Sequence, residues 1–197
     1  MKKTILITLL MLLSIVAGAH DFVVDGIYYE ISGNEAIVTY KGTTSYNHNT
    51  YSGVVSIPES VTYNGTTYSV HCIGSSAFTS CRDLVGITIP NSITRISNSA
   101  FSNCSGLKTI TIPNSVTFIG NNAFAWCENV EYLEIPNSIT TINEGAFCWC
   151  TSLTSIEIPN SVKIIGKGAF GSLKGIKTIQ IPSSVTEIGE SAFSYCI

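Results

Sequence analysis

Two carboxylates offer the most direct route to chemistry. Glu134 and Glu157 occupy the same place in two near-identical stretches, "YLEIPNS" from Tyr132 and "SIEIPNS" from Ser155. On adjacent paired strands their backbones would lie about 4.8 Å apart. Retaining glycosidases hold their two carboxyls about 5–5.5 Å apart. The companion positions, however, are Thr88, Thr111 and Gln180, all ordinary solvent-facing residues. A flat strand surface also gives no pocket to lift one carboxyl's pKa. The pair therefore reads as surface charge, and carbohydrate hydrolysis is the lesser alternative. The histidines are His20, His48 and His71, none with a repeated acid or nucleophile beside it. There is no G-x-S-x-G, H-E-x-x-H or phosphate-binding glycine loop. Cys148-x-Cys150 is the nearest approach to a metal motif, but no second His or Cys pair completes a zinc site. We expect no catalytic residue, no metal and no cofactor.

What positions the two glutamates is an internal repeat. From Ile73 onward the sequence recurs every 23 residues, with copies beginning at Ile73, Ile96, Ile119, Ile142 and Ile165, and a sixth at Ile188. The shared pattern is I-G-x-x-A-F-x-x-C-x-x-L-x-x-I-x-I-P-N-S-[VI]-T-x. Ala77, Phe78, Cys81 and Leu84 lie at i, i+1, i+4 and i+7, one face of a short helical or 3₁₀ segment. Ile87 and Ile89 switch to period two, a strand with one buried face. Pro90 ends that strand, and Pro90-Asn91-Ser92 carries turn chemistry. Gly74, Gly120, Gly166 and Gly189 follow the closing isoleucine, with Ser97 and Asn143 as substitutes, a pattern that suggests a turn needing small or left-handed residues. One such unit cannot cover its own apolar face, whereas stacked units can. The expectation is a solenoid whose coils each consume 23 residues.

The run "IGxxAFxxCxxLxxIxIPNSVT" resembles the BspA-like leucine-rich repeats of bacterial and some protist surface proteins. The resemblance covers 73–197. It implies an α/β solenoid of leucine-rich-repeat type: a parallel β-sheet on one face, short helical or 3₁₀ segments on the other, and a β-rich N-terminal cap. It also implies a secreted or cell-surface protein that adheres to host matrix or to other cells, without catalytic residues.

The ends follow other rules. Lys2 and Lys3, an apolar run from Ile5 to Val16 and Ala17-Gly18-Ala19 read as an export signal cut after Ala19. Residues 20–72 read as the cap. It holds hairpin signals at Asp25-Gly26 and Asn64-Gly65, a strand over Ala36 to Tyr40, a polar loop over Lys41 to Thr50 and a half-repeat at 57–62. The repeats fill 73–197. The chain stops inside the sixth coil, so we expect a fragment or truncated product whose open end could self-associate.

Charged residues make up only 12% of the chain, against roughly 25% in an average globular protein. Losing Lys2 and Lys3 with the signal would reduce the 10 basic residues to 8, against 13 acidic ones. Such a surface does not suit nucleic acid or an anionic membrane, and no later segment is apolar enough to span a bilayer. Five of the seven cysteines, Cys81, Cys104, Cys127, Cys150 and Cys196, share one repeat position where Leu173 substitutes. Replacement by leucine marks them as buried thiols.

Two variable surfaces remain for a partner. The strand face combines Tyr132, Glu134 and Glu157, an aromatic anchor with an acidic patch that would suit a basic segment of a protein or glycan ligand. The opposite edge carries Trp126 and Trp149, in a column with Ser80, Asn103, Ser172 and Tyr195. Those polar companions argue that the two indoles stack side by side in solvent. Their simplest role is to cover neighbouring turns. The leading reading is an adhesion module, with a non-binding spacer of a longer surface protein as the alternative.

Overall fold

The computed structural model describes residues 20–41 and 51–196; the expected export signal, most of the expected polar loop and Ile197 lie outside the described residues. The chain begins with a meander of β1 (Phe22–Val24), β2 (Ile27–Ser32) and β3 (Glu35–Thr39). β4 (Gly53–Ser56) follows, then the hairpin of β5 (Ser60–Tyr63) and β6 (Thr66–Ile73). Asp25-Gly26 and Asn64-Gly65 make two of the hairpin turns, all four residues with positive φ between 49° and 79°. Two successive left-handed residues define the I′ turn, whose twist matches that of the strands it joins.

Two parallel walls then run along the stacked coils. The first contains β4 beside β7 (Leu84–Thr88), and β9 (Thr109–Thr111) beside β11 (Tyr132–Glu134). The second is built from two-residue strands: β8 (Arg95–Ile96), β10 (Phe118–Ile119), β12 (Thr141–Ile142), β13 (Ile164–Ile165) and β14 (Glu187–Ile188). Its pairings join residues 23 positions apart, as in Arg95 with Phe118 and Ile142 with Ile165, with a break between β10 and β12. The cap sheet continues directly into this wall, because β6 pairs with β3 on one side and β8 on the other.

The third side departs from expectation: among the described residues no helix forms. Each coil instead makes a chain of tight turns. Ala77, Thr79 and Cys81 donate their N–H groups three residues back, to Gly74, Ser76 and Phe78. The alternate N–H groups of Ser76, Phe78 and Ser80 leave the coil and bond the carbonyls of Asn98, Ala100 and Ser102 in the next. An α-helix needs every N–H to bond four residues back within its own segment. The conformation also forbids one, since φ is positive at both Ser76 and Ser80, and again at Ser99 and Asn103, Asn122 and Trp126. The apolar spacing that suggested a helix instead reflects which turn residues point inward. On the walls the bonds flanking the parallel ladders run the other way, with Thr117 and Gly120 donating back to Thr94 and Ile96.

The glycines after the closing isoleucine have a different cause from the one expected. Gly74, Gly120, Gly166 and Gly189 are not left-handed. A Cβ on Gly120 would sit 2.6 Å from the backbone N of Asn98, and one on Gly189 2.5 Å from that of Lys167. Close approach of adjacent coils, rather than turn conformation, excludes the side chain. The left-handed sites lie two residues further on.

The core is a stack of equivalent side chains. Phe78, Phe101, Phe124, Phe147, Phe170 and Phe193 lie ring over ring, with centroids 4.9–5.9 Å apart and planes within 14°. Tyr51 of the cap continues the stack, 4.4 Å from Phe78. Its hydroxyl donates to the Thr39 carbonyl at 2.7 Å and accepts from the Tyr28 N–H. Beside the rings runs the cysteine ladder, with no disulfide among the described residues. Cys104, Cys127 and Cys150 donate S–H to the carbonyls of Phe78, Phe101 and Phe124 in the preceding coil, at 2.9, 3.2 and 3.3 Å. Burial pushes these thiols well up, Cys127 to about 12, which keeps them protonated and unreactive.

Candidate binding faces

The first wall positions the acidic patch. Alternation along β11 buries Leu133 and turns Tyr132 and Glu134 outward, and the register sets them over Thr109 and Thr111. Tyr132 is 53% exposed, and its hydroxyl reaches Glu134 Oε2 at 3.4 Å. Glu157 is also exposed, but its segment forms no strand and β11 pairs only with β9. The expected ladder between Glu134 and Glu157 therefore lapses. A groove of about 560 Å³ runs along this corner, lined by Thr88, Asn91, Thr111, Asn114, Pro113 and Glu134; Glu157 is outside its lining. The groove thus holds one of the two carboxylates that a retaining glycosidase would bring together.

Sequence reasoning missed the start of this wall. Val54 is 73% exposed and Val85 is exposed beside it. A register shift between Gly53 and Val54 leaves Val85 as the unpaired residue of a bulge in β7. Gly86 keeps the spot low, since even an added Cβ would only touch Val54, at 3.5 Å. No turn or period signal marks Val54, because β4 precedes the first full repeat.

The tryptophans sit on the turn edge. Trp126 and Trp149 are 42% and 40% exposed, with φ of 57° and 62°. Backbone bonds to the following coil fix both, Trp126 N–H to Cys148 at 2.9 Å and Trp149 N–H to Gly171 at 2.8 Å. The side-by-side stacking expected of them is absent: no ring contact joins the two indoles among the described residues. Lys174 instead places its ammonium 5.8 Å from the Trp149 ring centroid.

A third feature lies where the cap meets the first coil, an open cavity of about 800 Å³ lined in part by His20, Asp21, Glu30, Glu35, Cys72 and Arg95. Burial raises the Cys72 pKa, so its thiol is a poor nucleophile there. Arg95 stands over the Phe118 ring at 3.9 Å, a packing role. Among the described residues no group of three His, Cys, Asp or Glu converges as a metal site would require, and no helix is long and apolar enough to cross a membrane.

Comparison with known proteins follows the same lines. A search of curated proteins finds no match. Among solved structures, a leucine-rich cell surface protein of Faecalibacterium prausnitzii is 29% identical with a TM-score of 0.67, over 89% of this chain and 52% of that one. A leucine-rich repeat protein of Bacteroides ovatus is also 29% identical, with a TM-score of 0.52 over 86% of this chain and 55% of that one. The chain therefore spans about half the length of these two proteins. The T. pallidum leucine-rich repeat protein, 24% identical with a TM-score of 0.69 over 86% of both chains, shares the fold. The family model of the BspA type leucine-rich repeat region matches residues 71–197 in six copies. With that match over most of its length, and with coils stacked phenylalanine on phenylalanine, the chain belongs to the BspA-type leucine-rich repeat family.

Proposed function

We propose that this chain is an exported, non-catalytic adhesion module that grips a protein partner through the first wall. The observation that carries the reading is the pairing of Tyr132 and Glu134 on a rigid strand: an exposed aromatic ring beside a carboxylate, with Glu157 exposed in the next copy. Aromatic anchors are enriched at interaction hot spots. The carboxylates favour a basic segment, which the groove beside Glu134 could seat in extended form. Export is supported by the leader-like residues 1–19, and a surface location by the likeness to a protein described as a leucine-rich cell surface protein. The partner class is a surface macromolecule of a host matrix or of another cell.

The test is attachment of the whole chain to immobilised matrix proteins and to cells, compared with Tyr132→Ala/Glu134→Ala. Both residues are solvent-facing, so the variant should keep its fold and lose attachment by about tenfold or more, the size of one hot-spot residue. Undiminished attachment of a folded variant would favour the spacer reading instead.

A further inference from the structure

Positive φ is costly for any residue with a Cβ, and bulky side chains almost never adopt it. In this chain the rule holds nearly everywhere. Among the described residues the non-glycine positions with positive φ are Asp, Asn or Ser, except Trp126, Trp149 and Tyr195. All three exceptions stand in one column of the turn edge. In other coils Ser80, Asn103 and Ser172 fill that column with φ of 60–61°, so the fold does not require an aromatic ring there. Two adjacent coils nevertheless carry the chain's only two tryptophans, held in a strained conformation and more than a third exposed. Strain at an exposed position that the fold does not demand is a signature of a binding site.

The surroundings specify the ligand. Around the indoles the charges are mixed and few: Glu128 shares a coil with Trp126, Thr151 shares one with Trp149, and Lys174 lies on the coil after. Asn103 donates to Ser80 at 3.1 Å, and both are half-buried in the same column as Trp126. This edge has no net field to draw an acidic or a basic polymer, in contrast to the glutamates of the first wall. Flat indole faces, uncharged amides and hydroxyls, and a step of one coil, about 4.8 Å, match a chain of sugar rings. Ring C–H groups can stack on indole, and hydroxyls can bond the amides. We propose that the Trp126–Trp149 edge is a second binding site, taking one extended, uncharged polysaccharide chain laid along the coil axis.

Because the chain has 2 tryptophans, its tryptophan emission reports on this site alone. The experiment titrates the whole chain with cellohexaose, chitohexaose and xylohexaose, with polylysine as the charged comparison, and measures pelleting with insoluble cellulose and chitin. The expected result is a shift of emission with at least one neutral oligosaccharide and none with polylysine. Trp126→Leu and Trp149→Leu, which keep an apolar side chain but lose the ring, should each weaken binding about tenfold, the scale of one aromatic stacking contact. The Tyr132→Ala/Glu134→Ala variant should bind sugar as the parent does, which separates this site from the first wall. Urea midpoints show whether each leucine variant is folded. If one is not, Trp126→Ser and Trp149→Ser repeat the measurement with the residue that other coils already use. No shift and no pelleting with any neutral glycan would overturn the proposal. So would a shift with polylysine alone, or undiminished binding by folded variants.

Discussion

Raising the pH should unfold the coils, and the cysteine ladder sets the range in which it happens. Burial pushes Cys127 from 9.0 up to about 12 and Cys148 up to about 11. Cys104 and Cys150, inside the same stack, move in the same direction for the same reason. A thiol raised in this way keeps its proton in the native state, while the unfolded chain loses it near pH 9. Its contribution is therefore whole below that pH and drains away as pH rises toward the folded value. At about pH 10.5, one and a half units above the unfolded value, the loss from Cys127 is about 2 kcal/mol at 1.36 kcal/mol per unit. Cys148, less enclosed, loses less, and Cys104 and Cys150 act in the same direction. The Cys127 loss alone is a sizeable part of the roughly 5–15 kcal/mol of a whole domain. The Tyr51 hydroxyl, also raised by burial, steepens the fall at higher pH. The assay is urea unfolding followed by circular dichroism, with reductant present, from about pH 7.5 to 10.5. The midpoint should stay level to about pH 9 and then drop. Cys127→Ala should begin less stable but fall less steeply, by about 2 kcal/mol over the interval. A wild-type midpoint equal at both ends, or an unchanged slope in the variant, would refute the argument.

Phe124→Ala, in the middle of the ring stack, should cost about 3–5 kcal/mol in urea unfolding, and Phe193→Ala, half-buried at the last coil, distinctly less. Ser99, with φ of 54°, should accept glycine with a gain of a few tenths to about 1 kcal/mol, readable as a higher melting temperature. Gly120→Ala should lose about 1–3 kcal/mol in the same assay, because its Cβ would overlap the Asn98 backbone.

The residues differ in how openly they declared this structure. The inward columns were plain, because Phe78, Cys81 and Leu84 recur with their chemistry intact and a core tolerates little else. The hairpins were equally plain, since Asp25-Gly26 and Asn64-Gly65 suit two adjacent left-handed residues. The turn edge was misread as helical because inward residues at i, i+1, i+4 and i+7 fit either geometry. The discriminating signal was in the polar columns, where Ser76, Ser99, Asn122, Gly145 and Gly168 share a tolerance for positive φ. The second wall escaped notice because its strands are two residues long, too short to establish a period. For the candidate sites, column companions revealed that Trp126, Trp149 and Tyr132 face solvent. Nothing in the sequence announced that the ladder stops between Glu134 and Glu157, since strand pairing depends on the path of both segments.

The opposed bonding directions of the coils have a consequence for the gene. On the turn edge each coil gives N–H groups forward and takes them from behind, while on the walls the bonds flanking the parallel ladders run backward. The turn-edge seams therefore present the same pattern of donors and acceptors from coil to coil, although the strand ladders of the walls are interrupted. Excising one unit, or doubling it, rejoins turn-edge donors to turn-edge acceptors of the same kind. Array length can thus drift as freely as the number of beads on a string, and a relative twice as long needs no new joint.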